Sequence, residues 1–202
     1  MKTVLLTGQF FSRVPAGVER FSGFLKKAFP ALTVFDFDQL RHPKPFLLGE
    51  PLKAKAVAEA FLEKAEELNP DVVFFNGMYG WALPKKTPYL KIALCHGTYA
   101  SFARFAMPWG LDKIRTSLLY AWFEKKSVAN ADTIISNSSF TQRILKEDYG
   151  LESQVIHLAT DFKLFKNADK KKARIELGLP LKKKIVLFVG RPDHFKAFDW
   201  VQ

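Results

Sequence analysis

The chain has 202 residues and a net charge of +11, and 48% of its residues are apolar, which is ample for a packed core. No apolar run approaches the roughly 18 residues of a membrane-spanning helix, and the first residues lack the pattern of a signal peptide. Cys95 is the single cysteine, which excludes an internal disulfide bond and a thiolate zinc cluster, so we expect a soluble protein of the cytoplasm.

Strands and helices alternate along the chain. Apolar runs predict strands at Lys2–Thr7, Leu32–Phe37, Asp71–Phe75, Lys91–Cys95, Thr133–Ser136 and Gln154–Leu158. Apolar residues at helical spacing predict helices at Val18–Phe29, Pro51–Leu68 and Ile114–Ala131, and a further helix from the N-cap Ser138 to about Tyr149. This order predicts an α/β fold, a Rossmann-like parallel sheet with helices on both faces. Ligands of such sheets bind at the carboxyl ends of the strands.

One more strand, Ile185–Val189, is predicted near the end of the chain and is followed by Gly190 and the start of a helix. Arg191 and Lys196 add two cations where free backbone N–H groups also attract anions, which indicates a phosphate site. The strand and glycine repeat the pattern of Val4–Gly8, as two similar domains in tandem would. We expect this apolar strand to pack on the first domain, to pair with another copy in a dimer, or to be poorly ordered.

Most of the positive charge lies in one segment, between the sixth predicted strand and Ile185–Val189. Residues 163–184 contain nine Lys or Arg and two acids, so they carry +7 of the net +11. A nucleic-acid-binding protein would spread its basic residues over a face with interleaved aromatic residues or a recognised motif, so we expect no nucleic acid partner. A solvated linker is the favoured interpretation, and attraction to an anionic membrane surface is the alternative.

Polar residues at the predicted strand ends are the candidates for a site. His96 is expected at the carboxyl end of the fourth strand, and Cys95 on the opposite face, which argues against a Cys–His nucleophilic pair. Asp36 and Asp38 have the spacing of an Asp-x-Asp metal site, but a strand end that faces solvent is the favoured explanation. The glycines of the first loop lie nine positions apart and form no dinucleotide-binding fingerprint.

Several short motifs in this order carry a resemblance that spans nearly the whole chain. They are Ala16-Gly-Val-Glu-Arg20, His96-Gly97, Ala129-Asn-Ala-Asp-Thr-Ile-Ile-Ser136, Val155-Ile-His-Leu-Ala-Thr-Asp161 with Phe165, and Gly190-Arg191 followed by Lys196. The chain resembles the amino-terminal part of a GT-B glycosyltransferase of family 4, a retaining enzyme built from two facing Rossmann-like domains. The resemblance implies an acceptor-binding first domain at residues 1–165, a linker at 166–184, and the truncated first βα unit of a donor-binding domain at 185–202.

The resemblance also implies roles for individual residues. His96 would be the catalytic-site residue that contacts the donor sugar near the reacting carbon, and Gly17, Gly190, Arg191 and Lys196 would bind the donor. Ala16, Glu19 and Asn137 would lie on the acceptor side. The substrates would be a nucleotide sugar and a saccharide or lipid-linked acceptor, with no cofactor and no metal.

The sequence departs from the family pattern at several turns. Ala16 and Ala197 stand where glycine is frequent, and Leu158-Ala159-Thr160 replaces the usual Asn-Gly-Val. The family's pair of glutamates seven residues apart would lie beyond Gln202, so we expect no transferase activity from the chain alone. The alternatives are the acceptor or membrane-docking subunit of a split transferase, and a non-catalytic binding module. The aromatic and basic stretch Tyr99–Lys126 is expected to touch a lipid-linked acceptor or the inner face of the membrane.

Overall fold

A computed structural model describes residues 1–8, 17–40, 49–158 and 169–189. The chain divides into two compact units, Met1–Leu158 and Ala159–Gln202. Each unit is built around its own secondary structure, and the first contains the sheet.

The first unit contains a six-stranded sheet in the order β2-β1-β3-β4-β5-β6, and all of its neighbouring strands are parallel. Its strands are β1 Thr3–Thr7, β2 Thr33–Asp36, β3 Val72–Asn76, β4 Leu90–Cys95, β5 Thr133–Ser136 and β6 Gln154–Val155. The strand order reverses between β1 and β3, and ligands of open α/β sheets bind beside such a reversal. The predicted parallel α/β sheet is confirmed.

Helices cover both faces of this sheet. The helices of the unit are α1 Gly17–Ala28, α2 Gly49–Leu62, α3 Ala65–Leu68, α4 Tyr99–Ala106, α5 Leu111–Arg115, α6 Ala121–Val128 and α7 Ser139–Tyr149. Helix α1 packs through partly buried Phe21 and Leu25 on one face, against a cluster that includes Leu5. Helices α2, α6 and α7 pack on the other face, where Phe61 and Phe75 are fully buried. The α1 face therefore has the smaller of the two cores.

Two predicted helices have different bounds in the structure. The helix predicted at Pro51–Leu68 is interrupted after α2, because Lys64 leaves the helical region at φ −112° and ψ 0°. The helix predicted at Ile114–Ala131 begins earlier, at Leu111, and ends at Val128, with a π-helical turn at Thr116–Tyr120 between α5 and α6. Pro108, Trp109 and Gly110 separate it from α4, so α4 and this run form a helical hairpin.

Two predicted strands are shortened or not formed. The sixth was expected to reach Leu158 but ends at Val155, at the edge of the sheet, where it bonds only to β5. Ile185–Val189 forms no ladder, since no other strand lies within residues 169–189 of the second unit, and Val186, Leu187 and Val189 are exposed. That unit instead contains α8, Lys170–Glu176, whose first turn is capped by Asp169 through the N–H groups of Lys171 and Lys172.

Candidate functional site

Four neighbouring strands bring polar side chains to one edge of the sheet on the α1 face. Side chains alternate along a strand, so the residues two positions after the apolar core residues of this face also point to it. Those apolar residues are Leu5, Phe74, Leu94 and Ile135, and the polar residues that follow are Thr7, Asn76, His96 and Asn137. They lie at the carboxyl ends of β1, β3, β4 and β5, beside the reversal of strand order.

Hydrogen bonds join these residues in what we call the amide–imidazole network. Asn76 donates through Nδ2 to Thr7 Oγ1 at 3.0 Å and to Ser22 Oγ of α1 at 3.3 Å. Its Oδ1 lies 3.3 Å from His96 Nε2. On the other side of the ring, Asn137 Nδ2 lies 3.4 Å from His96 Nδ1. Asn137 is held in turn by Thr141 of α7, whose hydroxyl donates to Asn137 Oδ1 at 2.7 Å.

The network holds His96 as one neutral tautomer. Because Asn76 presents its oxygen and Asn137 its amide hydrogens, Nε2 of the ring donates and Nδ1 accepts. Burial lowers the pKa of His96 to about 4. The imidazole is therefore uncharged at neutral pH and, with both ring nitrogens engaged, is poorly suited to proton transfer. Cys95 faces the opposite core, as predicted, and burial raises the pKa of its thiol to about 12.

The first turns of α1 border this network. The Phe21 ring meets the His96 ring edge-on with 4.9 Å between centroids. Glu19 lies in the first turn, and its Oε2 is buried without a hydrogen-bond partner among the described residues. Gly17 begins the helix and is exposed, and a Cβ there would meet no atom within 4 Å. The start of α1 thus has an open position at Gly17 and, three residues before Ser22 of the network, a buried acceptor oxygen.

An apolar cavity of about 260 Å³ adjoins the network. Its walls come from α1 and from the face of β3, β4 and β5, with His96 and Asn137 at its polar side. The apolar lining includes Phe21, Leu25, Phe29, Leu94, Ile135 and Ile156. A polar network beside an apolar wall is the usual composition of a small-molecule site.

A second polar cluster fixes the start of α4, directly after His96-Gly97. Glu124 is buried and accepts hydrogen bonds from the Tyr149 hydroxyl at 2.5 Å and from the Tyr99 N–H at 2.7 Å. Burial raises the pKa of Glu124 to about 7, against the lowering effect of these two bonds. Asp148 accepts from the hydroxyls of Thr98 at 2.5 Å and Ser101 at 2.7 Å. This cluster anchors the helix that leaves the candidate site.

Asp36 and Asp38 occupy different environments. Asp36 is buried and caps the 3-10 turn Phe37–Gln39, accepting the N–H of Asp38 at 2.8 Å, whereas Asp38 itself is exposed. Within the described ranges, no group of three or more His, Cys, Asp and Glu residues is arranged to hold a metal ion. In the same part of the chain, no helix is long and apolar enough to cross a membrane.

The structure brings together some of the predicted site residues and leaves others outside the described residues. His96 and Asn137 are in direct contact, and Gly17 and Glu19 lie in the helix that borders them. Ala16, Gly190, Arg191 and Lys196 lie outside the described residues. Sequence analysis gave no role to Thr7, Ser22 or Asn76. The alternation of strand side chains would have pointed to Thr7 and Asn76, because both end a strand on the same face as His96.

Comparison with known proteins identifies the family. The sequence profile described as Glycosyltransferase Family 4 matches residues 18–163, well over half of the chain. The chain belongs to glycosyltransferase family 4. The match covers α1 from its second residue, strands β2 to β6 and every residue of the network except Thr7, so most of the candidate site of this family 4 chain lies in the matched region.

Individual relatives match smaller parts of their own length. The family 4 chain is 38% identical over 81 residues to a D-inositol 3-phosphate glycosyltransferase of Mycolicibacterium paratuberculosis, which is 39% of this chain and 18% of that protein. The enzyme of the same name from Mycobacterium bovis is 35% identical over 81 residues. A solved structure, sucrose-phosphate synthase from Thermosynechococcus elongatus, superposes with a TM-score of 0.72 at 19% identity, covering 96% of this chain and 57% of that one. The last similarity shows the fold.

Proposed function

We propose that this chain is the acceptor-binding part of a glycosyltransferase that moves a sugar from a nucleotide-sugar donor to an acceptor. The observation that carries the proposal is the amide–imidazole network at the carboxyl ends of four parallel strands, of which β3, β4 and β5 lie in the family-matched region. In this position the polar groups border the crevice where α/β sheets bind their ligands. The acceptor is a saccharide, a polyol phosphate or a lipid-linked form of either.

His96 acts in this proposal as a positioned neutral ring. Its pKa of about 4 and its two amide contacts argue against general acid–base catalysis near neutral pH, where a pKa close to 7 would be favoured. The ring would instead fix the shape of the site against the donor sugar, near the reacting carbon. Asn137 would hold the ring and line the acceptor side.

The start of α1 would receive the polar groups of the substrates. The backbone N–H groups of the first turn of α1 favour an anion such as a phosphate, because they have no intrahelical partner. The unpaired Oε2 of Glu19 would accept a hydrogen bond from an acceptor hydroxyl. Gly190, Arg191 and Lys196 would bind the donor diphosphate, and Ala16 would lie beside Gly17 on the acceptor side. No metal or cofactor is required in this proposal.

We further propose that the 202-residue chain binds acceptor without turning over a donor. In support, 57% of the sucrose-phosphate synthase chain is matched here, so the rest of that fold has no counterpart in these residues. Two alternatives keep the same fold, namely the acceptor subunit of a split transferase and a binding module without catalysis. Capture of a separate donor-domain chain by the tagged protein would favour the split enzyme, and its absence would favour the module.

The test is calorimetric binding of a panel of sugar phosphates and polyol phosphates, including D-inositol 3-phosphate, combined with an assay for nucleotide release from UDP- and GDP-sugars. We expect one class of the panel to bind and no nucleotide to be released. Glu19→Gln keeps the size of the side chain and should weaken binding about tenfold or more, the value of a charge-assisted hydrogen bond. Glu66→Gln, on an exposed position of α3, is the matched control and should bind as the unaltered protein does.

Two outcomes would contradict the proposal. If no member of the panel binds, the edge of the sheet is not an acceptor site. If nucleotide is released, the 202-residue chain turns over a donor, and the proposal that it binds acceptor without turnover is wrong.

A further inference from the structure

The helical hairpin formed by α4 and the α5–α6 run exposes large apolar side chains. Trp109 and Leu111, at the turn of the hairpin, are both 86% exposed, and Phe105 just before the turn is 74% exposed. Ile114, Leu118 and Trp122 follow at spacings of three, four and four residues and are also exposed. We call these six residues the hairpin face. Side chains at this spacing lie on neighbouring turns of a helix, so the exposure continues from the turn along the second helix.

Cations accompany the aromatic rings of the hairpin face. The Arg104 guanidinium lies 4.9 Å from the centre of the Phe105 ring, and Lys113 Nζ lies 5.0 Å from the Trp109 ring. Lys126 Nζ lies 5.5 Å from the Trp122 ring. Each ring therefore has a positive group beside it. Rings with adjacent Lys or Arg are the side chains that anchor helices in the interface of a bilayer.

The charge balance of the hairpin is positive at its surface. Residues 99–128 contain five Lys or Arg and two acids. Glu124 is buried beneath the hairpin, Asp112 is paired with Arg115 at 2.9 Å, and Arg104 is paired with Asp148 of α7. Among the described residues, Lys113, Lys125 and Lys126 are in no ion pair, so their charge is available to the negative potential of an anionic membrane surface. A second copy of the same face would oppose cations to cations, so the charge disfavours self-association.

We infer that the hairpin face docks on the surface of an anionic lipid bilayer, with the apolar side chains in the interface and the lysines and arginines among the headgroups. No described helix could cross a bilayer, so the contact would be interfacial. The hairpin begins at Thr98, two residues after His96, and α4 has eight residues, which is about 12 Å of helix. Docking would therefore hold the candidate site near the lipid surface. This inference goes beyond the proposed function and does not depend on it.

The test is vesicle flotation of the full 202-residue chain, with no sugar or nucleotide present. Vesicles of phosphatidylcholine with 30% phosphatidylglycerol are compared with pure phosphatidylcholine, at low and at high salt. We expect binding to the anionic vesicles at low salt, weaker binding at high salt, and little binding to phosphatidylcholine. If Trp109 and Trp122 lie in the interface, brominated lipids should quench the tryptophan fluorescence of the protein.

Two variants separate the apolar and the electrostatic contributions. Trp109→Ser with Leu111→Ser removes the two most exposed side chains of the hairpin face and should abolish flotation at either salt concentration. Lys125→Gln with Lys126→Gln should weaken binding to anionic vesicles about 25-fold, roughly fivefold for each lysine. Both lysines are exposed, and circular dichroism should show an unchanged fold for each variant.

Phe140→Ser is the matched control. Phe140 is an exposed aromatic residue of α7 with Arg143 at 5.4 Å from its ring, the same pairing on another surface. It should leave flotation unchanged. The inference is overturned if the unaltered chain binds neither vesicle, or if Phe140→Ser weakens binding as much as the hairpin variants do. It is also overturned if sedimentation shows a dimer that the Trp109 and Leu111 substitutions dissociate, because a second copy would then cover the face.

Discussion

Replacing His96 with Gln should make the stability of the protein less dependent on pH. In the folded chain His96 is neutral and lies between Asn76 and Asn137, and burial lowers its pKa to about 4. In the unfolded chain its pKa would be about 6.5. Between these values the unfolded state binds a proton that the folded state does not, so stability falls as the pH is lowered from about 6.5 to about 4.

The size of this effect follows from the two pKa values. One pKa unit corresponds to 1.36 kcal/mol, and about 1.5 units of the difference between the two pKa values lie above pH 5. Lowering the pH from 7.5 to 5 should therefore reduce the unfolding free energy of the unaltered protein by about 2 kcal/mol through His96. His96→Gln removes the titrating group but keeps an amide that can donate and accept. All other titrating groups contribute equally to both proteins, so the difference between their pH profiles isolates His96.

Urea unfolding at several pH values, followed by circular dichroism, measures the difference. NMR of the labelled imidazole gives an independent reading, because a ring held as the Nε2–H tautomer should not titrate between pH 7.5 and 5. Parallel stability profiles, within about 0.5 kcal/mol, together with an imidazole that titrates near 6.5, would refute the reasoning. The two amides would then not hold the ring in its neutral form.

Two further predictions concern the packing beneath the site. Burial raises the pKa of Glu124 to about 7, so between pH 5 and 8 the folded state keeps a proton that the unfolded state has lost, and stability should fall by about 2 to 3 kcal/mol over this range. Glu124→Gln should abolish this decline. Urea unfolding at several pH values measures it, and an unchanged dependence of stability on pH in the variant would contradict the prediction. Gly80→Ala should cost about 1 to 3 kcal/mol, because its Cβ would lie 2.5 Å from a Phe75 ring carbon. Gly23→Ala, in α1 with no atom within 4 Å of the added Cβ, should be neutral or stabilising by up to about 1 kcal/mol, and equal losses in the two glycine variants would refute the packing argument.

The strands and their parallel arrangement could be predicted from the sequence because each strand is an apolar run bounded by a turn. Thr133–Ser136 is observed as predicted, and α7 begins after the predicted N-cap Ser138, whose hydroxyl accepts the Thr141 N–H at 3.1 Å. An N-cap joins residues within one turn, so it can be predicted without knowing the tertiary structure. Ile185–Val189 has the same kind of apolar run but forms no ladder, because pairing depends on a neighbouring strand that its own sequence does not encode.

The candidate site could be predicted only in part, because its contacts also depend on which strands are neighbours. His96 and Asn137 could be placed at strand ends one at a time, but their contact depends on β4 and β5 being neighbours in register. The role of Asn76 requires in addition that β3 lies next to β4 and that α1 brings Ser22 above it. The π-helical turn at Thr116–Tyr120 has no sequence signal that helical spacing could reveal.

The central claim is that acceptor molecules bind at the carboxyl edge of the sheet, and NMR of the isotope-labelled chain tests it most directly. During titration with the panel of sugar and polyol phosphates, we predict shifts of the side-chain amide signals of Asn76 and Asn137 and of the backbone signals of the first turn of α1. Signals at the opposite edge, such as those of Lys91 and Asp132, should stay unchanged. Shifts confined to that opposite edge, or none with any member of the panel, would contradict the account.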